Sequence, residues 1–224
     1  MSKMKKLKKP LSKSTIRLNE QLRRKRGIRD LPKRFLIVCE DETSAPRYFE
    51  AFKKHFKLDA TSVEVVGSGH RTQPIQVVKT AIKRQKQAAR PDSGTEPFDE
   101  VWCLIDGDYG DKVGIARRSA SAKGIKLAVS TMCFEYWVLL HFEEYDKASV
   151  DCDAVLHLLK DKKRIPTYDK GKYEFREIVS KIHTASTRAE KLRKPGIERG
   201  DEPENQNPCS EVYILVNTIL PAGQ

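Results

Sequence analysis

The sequence predicts an α/β protein: a parallel sheet of about four strands flanked by helices, followed by a helical C-terminal extension. Three observations lead there. Between residues 35 and 130, short continuous apolar runs alternate with amphipathic helical stretches, the pattern of strands covered on both faces. From residue 133 onward the apolar spacing is helical. The 224 residues are 38% hydrophobic and 33% charged, enough apolar material for a core, in a chain that is still globular in composition.

Each element follows in order. Phe35 to Cys39 reads as a fully buried strand. Thr43 is suited to cap a helix with Pro46 in its first turn and Tyr48, Phe49, Phe52 and Phe56 on one face. Residues 62–67, SVEVVG, form a second strand. The turn GSGHRTQP follows, and Thr72 opens a helix carrying Ile75, Val78, Ala81 and Ile82 inward. This helix fades into a polar loop before a third strand, FDEVWCLID, at 98–106. A small helix leads to a fourth strand, KLAVS, at 126–130. Helices are then expected at CFEYWVLLHF, at 149–163 and at about 172–193. The acidic loop PGIERGDEPENQNP leads to a last helix, CSEVYILVNTIL, with Asn207 and Pro208 at its N-cap and first position.

Charge is distributed unevenly. The net charge is +12, and residues 1–34 carry all of it, with 14 Lys/Arg against 2 Asp/Glu. The remainder is balanced, so the expected organisation is a basic tail at 1–33, an α/β core at 34–145 and a helical extension at 146–224 packed on the core. Such a tail, with Arg23, Arg24, Lys25 and Arg26 at its densest point, binds phosphate backbones without sequence preference, or is a solvated leader. No run of about 18 apolar residues is present, so no membrane span is expected. The basic N-terminus lacks the apolar stretch of a secretory signal. The five cysteines are odd in number, lie mostly in apolar stretches and show no CxxC spacing. They read as reduced core thiols of a cytoplasmic protein rather than as a structural zinc site.

The chemistry concentrates where strands end. In an open parallel sheet, ligands sit at the carboxyl ends of the strands. The first strand runs into Glu40, Asp41 and Glu42, and the third ends in LIDGDYG, with Asp106 and Asp108. The i, i+2 spacing puts these two carboxylates on one side of an extended chain, and Gly107 lets the backbone turn or approach closely. Glu40, Asp106 and Asp108 together repel one another unless a cation lies between them, and all-oxygen ligation suits Mg²⁺ or Mn²⁺. Acids at strand ends also serve as helix caps or loop residues, and a lone DxD arises by chance. Asp41 and Glu42 fit either an outer position at the metal or the positive end of the following helix.

A strand ending in Glu, two βα units and a strand ending in DxD resemble the Toprim fold of topoisomerases, primases and OLD-type nucleases. In that fold the Glu and DxD bind Mg²⁺ and act on phosphodiesters. The longer resemblance is to the RloB-like family of bacterial abortive-infection and phage-defence loci. It covers nearly all of 34–220 through LIVCEDETSAPRYF, FDEVWCLIDGDYG, AVSTMCFEYWVLLHFEEY, YDKGKYEF and NPCSEVYILVNTIL. It implies a Mg²⁺-dependent (or Mn²⁺-dependent) nuclease with Glu40, Asp106 and Asp108 on the metal and Glu135 as a fourth acidic site residue. It also implies action on DNA or RNA beside a separately encoded ATPase, since no Walker motif is present here. Two positions depart from the family pattern: the usual Gly after the first Glu is Asp41, and the usual Asn-Pro before Cys-Phe-Glu is Thr131-Met132.

Other candidates have plainer alternatives. His141 lies about 240° round a helix from Glu135, so a core histidine fits better than a general base. His70 and Arg71, in the glycine turn before a helix, are placed to touch a substrate phosphate or merely to make a βα turn. Lys170 and Lys172 fit backbone contacts or a solvated loop. The competing functional readings are a non-catalytic, partner-gated nucleic-acid-binding module, and phosphoryl or nucleotidyl transfer to a small nucleotide.

Overall fold

A computed structural model describes residues 33–58, 63–69, 73–131, 133–148, 151–170 and 173–221. The basic tail up to Pro32 lies outside these residues. From Lys33 the chain forms one compact unit.

The sheet has five strands in the order β2-β1-β3-β4-β5. These are β1 (Phe35–Cys39), β2 (Val63–Gly67), β3 (Glu100–Asp106), β4 (Lys126–Thr131) and β5 (Cys209–Ser210). The first four are parallel, and β5 pairs antiparallel with β4 through Ser130↔Ser210 and Thr131↔Cys209. The eight described α-helices are α1 (Ser44–His55), α2 (Pro74–Ala88), α3 (Asp111–Ser121), α4 (Phe134–Leu140), α5 (Cys152–Leu159), α6 (Arg176–Val179), α7 (Ile182–Arg199) and α8 (Val212–Ile219).

Alternation along the strands separates two cores. Ile37, Cys39, Trp102, Leu104 and Ala128 face one way, against α1 and the helices after β4. Leu36, Val38, Val101, Cys103, Ile105 and Val129 face the other, against α2 and α3. The first helix therefore covers one face and the next two cover the opposite face. The strand order reverses between β1 and β3, and at such a switch point the two crossovers diverge and leave a crevice at the carboxyl edge.

Four features differ from the sequence expectation. α1 has Thr43 at its N-cap position, but the hydroxyl makes no capping bond. The carboxylate of Asp41 does this instead, accepting from the backbone amides of Ser44, Thr43 (3.1 Å) and Ala45 (3.4 Å). Burial in α2 falls on Val77, Val78 and Ala81, while Ile75 is only half-buried. α7 continues through Pro195 to Arg199, where the loop was expected to begin. Proline has the φ of a helix and forfeits one backbone bond, while Gly200, at φ 77°, supplies the left-handed C-cap. Cys209 and Ser210 are not helical but complete the sheet, so α8 starts at Val212 rather than at Pro208. A two-residue antiparallel strand carries no periodicity to read.

The C-terminal segment is locked to the sheet by charge. Arg117 on α3 donates from Nη2 to Glu204 (2.9 Å) and Glu211 (3.2 Å), and Glu211 also accepts from the Val129 amide at 3.2 Å. Burial pushes the Glu211 carboxyl up, and Arg117 opposes that. Removing one member strands a buried charge, so Arg117→Ala is expected to cost about 3 kcal/mol. Urea unfolding at pH 7 checks this; a loss under about 1 kcal/mol would place the pair in the class of exposed bridges.

Cysteine pairing is a further correction. Cys133 and Cys152 are joined as a disulfide, with Cα atoms 5.8 Å apart, while Cys39, Cys103 and Cys209 are free and buried. The partners are 19 residues apart, and only the packing of α4 against α5 brings them together. Among the described residues, no helix is long and apolar enough to cross a membrane.

Candidate metal centre

The crevice between β1 and β3 is lined by the acids that terminate those strands. The ladder pairs Cys39 with Leu104 and continues one step further, the Glu40 amide donating to the Leu104 carbonyl at 3.0 Å. Two residues along β3, the Asp106 amide donates to Glu40 Oε2 at 3.0 Å. The Tyr109 side chain lies near enough to Glu40 to lower its proton affinity. Glu40 and Asp106 thus share one edge of adjacent strands, and the Glu40 side chain is oriented by the Asp106 amide.

Gly107 opens a 3-10 turn, Gly107–Tyr109, that carries Asp108. An added Cβ at Gly107 would stand 2.7 Å from Thr131 Cγ2 and 2.9 Å from Thr131 Cα on β4. The close approach of two backbones is therefore what requires glycine here. Asp108 is exposed at the rim, whereas Asp106 is largely covered.

Glu135 arrives from the other core. It is the second residue of α4, a helix that begins at Phe134, one residue into the stretch expected to be helical. Its side chain is 3% exposed, and Oε1 accepts from the Ser44 hydroxyl (2.7 Å) and the Tyr168 hydroxyl (3.3 Å). A cavity of about 180 Å³ connects Asp106 with Glu135, lined also by Asp41, Ser44, Gly69 and Lys170, among others. Two larger cavities, of about 390 and 410 Å³, lie elsewhere. The first surrounds Arg34, Arg84 and Phe98, and the second His55, Phe56 and Ile182; neither touches the acidic edge.

Mutual repulsion is visible in the proton affinities. Burial, chiefly, with Asp108 and Asp41 adding to it, pushes Glu40 up to about 7, against the lowering effect of Tyr109 and of the bond from the Asp106 amide. Asp106 is driven well above the carboxylate range by burial and then by Glu40, Glu135, Asp41 and Asp108. Burial raises Asp41 and Asp108 as well. Among the described residues, no cationic side chain is a leading cause for these four, in contrast to Glu211. Oxygen-only donors, strong mutual repulsion and one exposed carboxylate at the rim fit a hard divalent cation.

The donor atoms of Glu40, Asp106 and Asp108 are not gathered into a closed set. Among the described residues, the group of three ligating side chains with donor atoms all within 4.8 Å is Cys133, Glu135 and Cys152. Binding a hard ion at the edge therefore calls for rotation of carboxylates toward one point. Asp41 is occupied as the cap of α1, which answers how the family's glycine position tolerates a carboxylate. Asp41→Ala is expected to destabilise the fold by about 1 kcal/mol while leaving affinity for Mn²⁺ within about twofold of wild type. Chemical denaturation and metal titration check the two halves separately.

The other sequence candidates fall as follows. His141 is buried, its Nδ1–H donating to the Trp137 carbonyl at 3.0 Å, and burial pushes it down to about 4. It is a neutral core histidine. Lys170 is exposed at the cavity wall. Arg23, Arg24, Lys25, Arg26, His70, Arg71, Lys172 and Met132 lie outside the described residues. Sequence reasoning missed Ser44 and Tyr168, which hold Glu135 in place; nothing local marks a hydroxyl whose partner is 91 or 33 residues away.

The fold and site define an α/β protein with an acidic carboxyl edge at the switch point of a mostly parallel sheet. A family model described as RloB-like protein matches residues 35–219. The chain belongs to the RloB-like family. No curated protein and no solved structure matches it.

Proposed function

We propose that the chain is a Toprim-like, Mg²⁺- or Mn²⁺-dependent nuclease, a cytoplasmic effector of anti-phage abortive infection. One observation carries this reading: Glu40 and Asp106 end adjacent parallel strands at the switch point and are joined by the 3.0 Å bond from the Asp106 amide. Glu40, Asp106 and Asp108 would hold the ion. A divalent ion there supplies Lewis acidity, which makes a bound water nucleophilic and offsets charge on phosphodiester oxygens. Glu135, held by Ser44 and Tyr168, would orient and accept a proton from the attacking water. Lys170 is placed at the cavity wall to meet a phosphate, and the segment Arg23, Arg24, Lys25 and Arg26 would add salt-dependent affinity for the polyanion. The glycine turn with His70 and Arg71 adjoins the cavity in sequence and would contact the same backbone.

The test is incubation of plasmid, linear DNA and tRNA with the protein in Mg²⁺, in Mn²⁺ and in EDTA. Cleavage confined to the metal-containing reactions supports the reading, and cleavage indifferent to metal removes it.

A second reading has its own observation. The three carboxylates are not drawn to ligation distance, which suits a nucleic-acid-binding module gated by a partner ATPase. Equal binding of nucleic acid with and without metal, and no cleavage even when the partner is supplied, would favour it.

A further inference from the structure

Cys133, the residue before α4, and Cys152, the first residue of α5, bring their sulfurs together with Glu135 against them. The two sulfurs and a Glu135 carboxylate oxygen are all within 4.8 Å of one another. We propose that the reduced form of Cys133 and Cys152, with Glu135, is a binding site for a thiophilic divalent cation of the Zn²⁺ class, and that closing the disulfide abolishes it.

The donor set decides the class of ion. Thiolates favour zinc-like ions, whereas Mg²⁺ takes oxygen ligands. This is therefore a different kind of site from the carboxylate edge, although Glu135 borders both. Tetrahedral zinc bonds of about 2.0–2.3 Å put donors about 3.3–3.8 Å apart, a spacing within the limits of this cluster. Three protein ligands leave a fourth position for water, as in zinc sites that stay open.

The surroundings hold the ligands as outer contacts do at metal sites. Ser44 and Tyr168 both donate to Glu135 Oε1, which fixes the orientation of that carboxylate. The Ser130 hydroxyl donates to the Cys133 carbonyl at 2.9 Å, fixing the backbone of that ligand. Asp151 caps α5 through the Ala154 amide at 2.7 Å, fixing Cys152. Cys133 is 4% and Glu135 3% exposed, so an ion here would be shielded, while the half-buried Cys152 gives a way in.

The chemistry balances. An external dithiol reduces the Cys133–Cys152 bond by exchange and is itself oxidised to a disulfide, its two hydrogens ending on the two sulfurs. Binding M²⁺ then displaces both thiol protons to solvent, leaving two metal–thiolate bonds. The proposal does not need the nucleolytic reading to hold, although the two share Glu135.

The probe is Co²⁺, titrated into full-length protein that has been reduced, freed of metal and kept anaerobic. One equivalent is expected to produce the sulfur-to-cobalt charge-transfer band in the near ultraviolet, displaced by one equivalent of Zn²⁺ and not by excess Mg²⁺. Cys152→Ser is expected to abolish the band, and Glu135→Gln to weaken binding by at least about tenfold. Asp106→Asn should leave the band in place, and disulfide-bonded protein should lack it until reductant is added. Reduced wild type that binds no cobalt through sulfur while all five thiols titrate overturns the proposal. So does a band that survives in the Cys133→Ser/Cys152→Ser double variant, which would assign it to Cys39, Cys103 or Cys209. Thermal melts certify each variant as folded, and Cys152→Ala replaces Cys152→Ser if the latter melts early.

Discussion

Asp106→Asn is expected to abolish metal-dependent cleavage and, in the same molecule, to raise the stability of the metal-free protein at alkaline pH. If Asp106 holds the ion as proposed, losing it would remove about 4 kcal/mol of transition-state stabilisation, about a thousandfold in rate. The stability effect has the opposite sign because desolvation of the half-buried Asp106, and then the nearby Glu40, Glu135, Asp41 and Asp108, raise its proton affinity. A carboxyl whose folded pKa is raised stabilises the fold while protonated, and that contribution is lost as pH rises through the folded value. Asparagine keeps the shape and never ionises, so the variant escapes the loss. Single-turnover cleavage of a labelled oligonucleotide tests the first half, and thermal melts in EDTA at pH 6 and pH 8.5 test the second. Unchanged cleavage removes Asp106 from the chemistry. A variant less stable at both pH values would make Asp106 a structural residue instead of a functional one, the reverse of the usual trade between activity and stability.

Mg²⁺ or Mn²⁺ should stabilise the wild-type chain strongly, and more at pH 8 than at pH 6. At about a hundred times its dissociation constant, a ligand specific to the folded state contributes about 2.7 kcal/mol. At about 2–4 °C per kcal/mol for a chain of this size, Tm should rise by about 5–10 °C. The pH dependence comes from Glu40, whose carboxyl is pushed up from 4.5 to about 7. Below that value a proton competes with the ion; above it the carboxylate is free and the site repels itself until a cation arrives. In the metal-free protein the Glu40 contribution is present at pH 4.5 and fades as pH rises through about 7. Melts with and without Mn²⁺ at both pH values check this. Equal shifts at pH 6 and pH 8, or none, would show that the edge does not bind the ion through Glu40, and Glu40→Gln should flatten the difference.

Much of the fold was legible before any coordinates. Phe35 to Cys39 is a strand because five consecutive apolar residues can be buried only where both faces are covered. The DxD was suspicious because an apolar strand ended in charge. His141 was set aside by helical geometry, and it is a buried core histidine. Family membership rests on several such segments spread over 35–219.

What the chain alone determined is local: which stretches extend, which coil, and which residue types stand at their ends, because backbone sterics and apolar periodicity act over a few residues. The tertiary structure decided what meets. Strand order placed Glu40 beside Asp106 across 66 residues, turned Asp41 into the cap of α1, supplied β5 from a stretch that reads as helix, and joined Cys133 to Cys152. Such contacts depend on which elements pack together, and packing is set by the sum of many weak nonlocal burials that no short window of sequence contains.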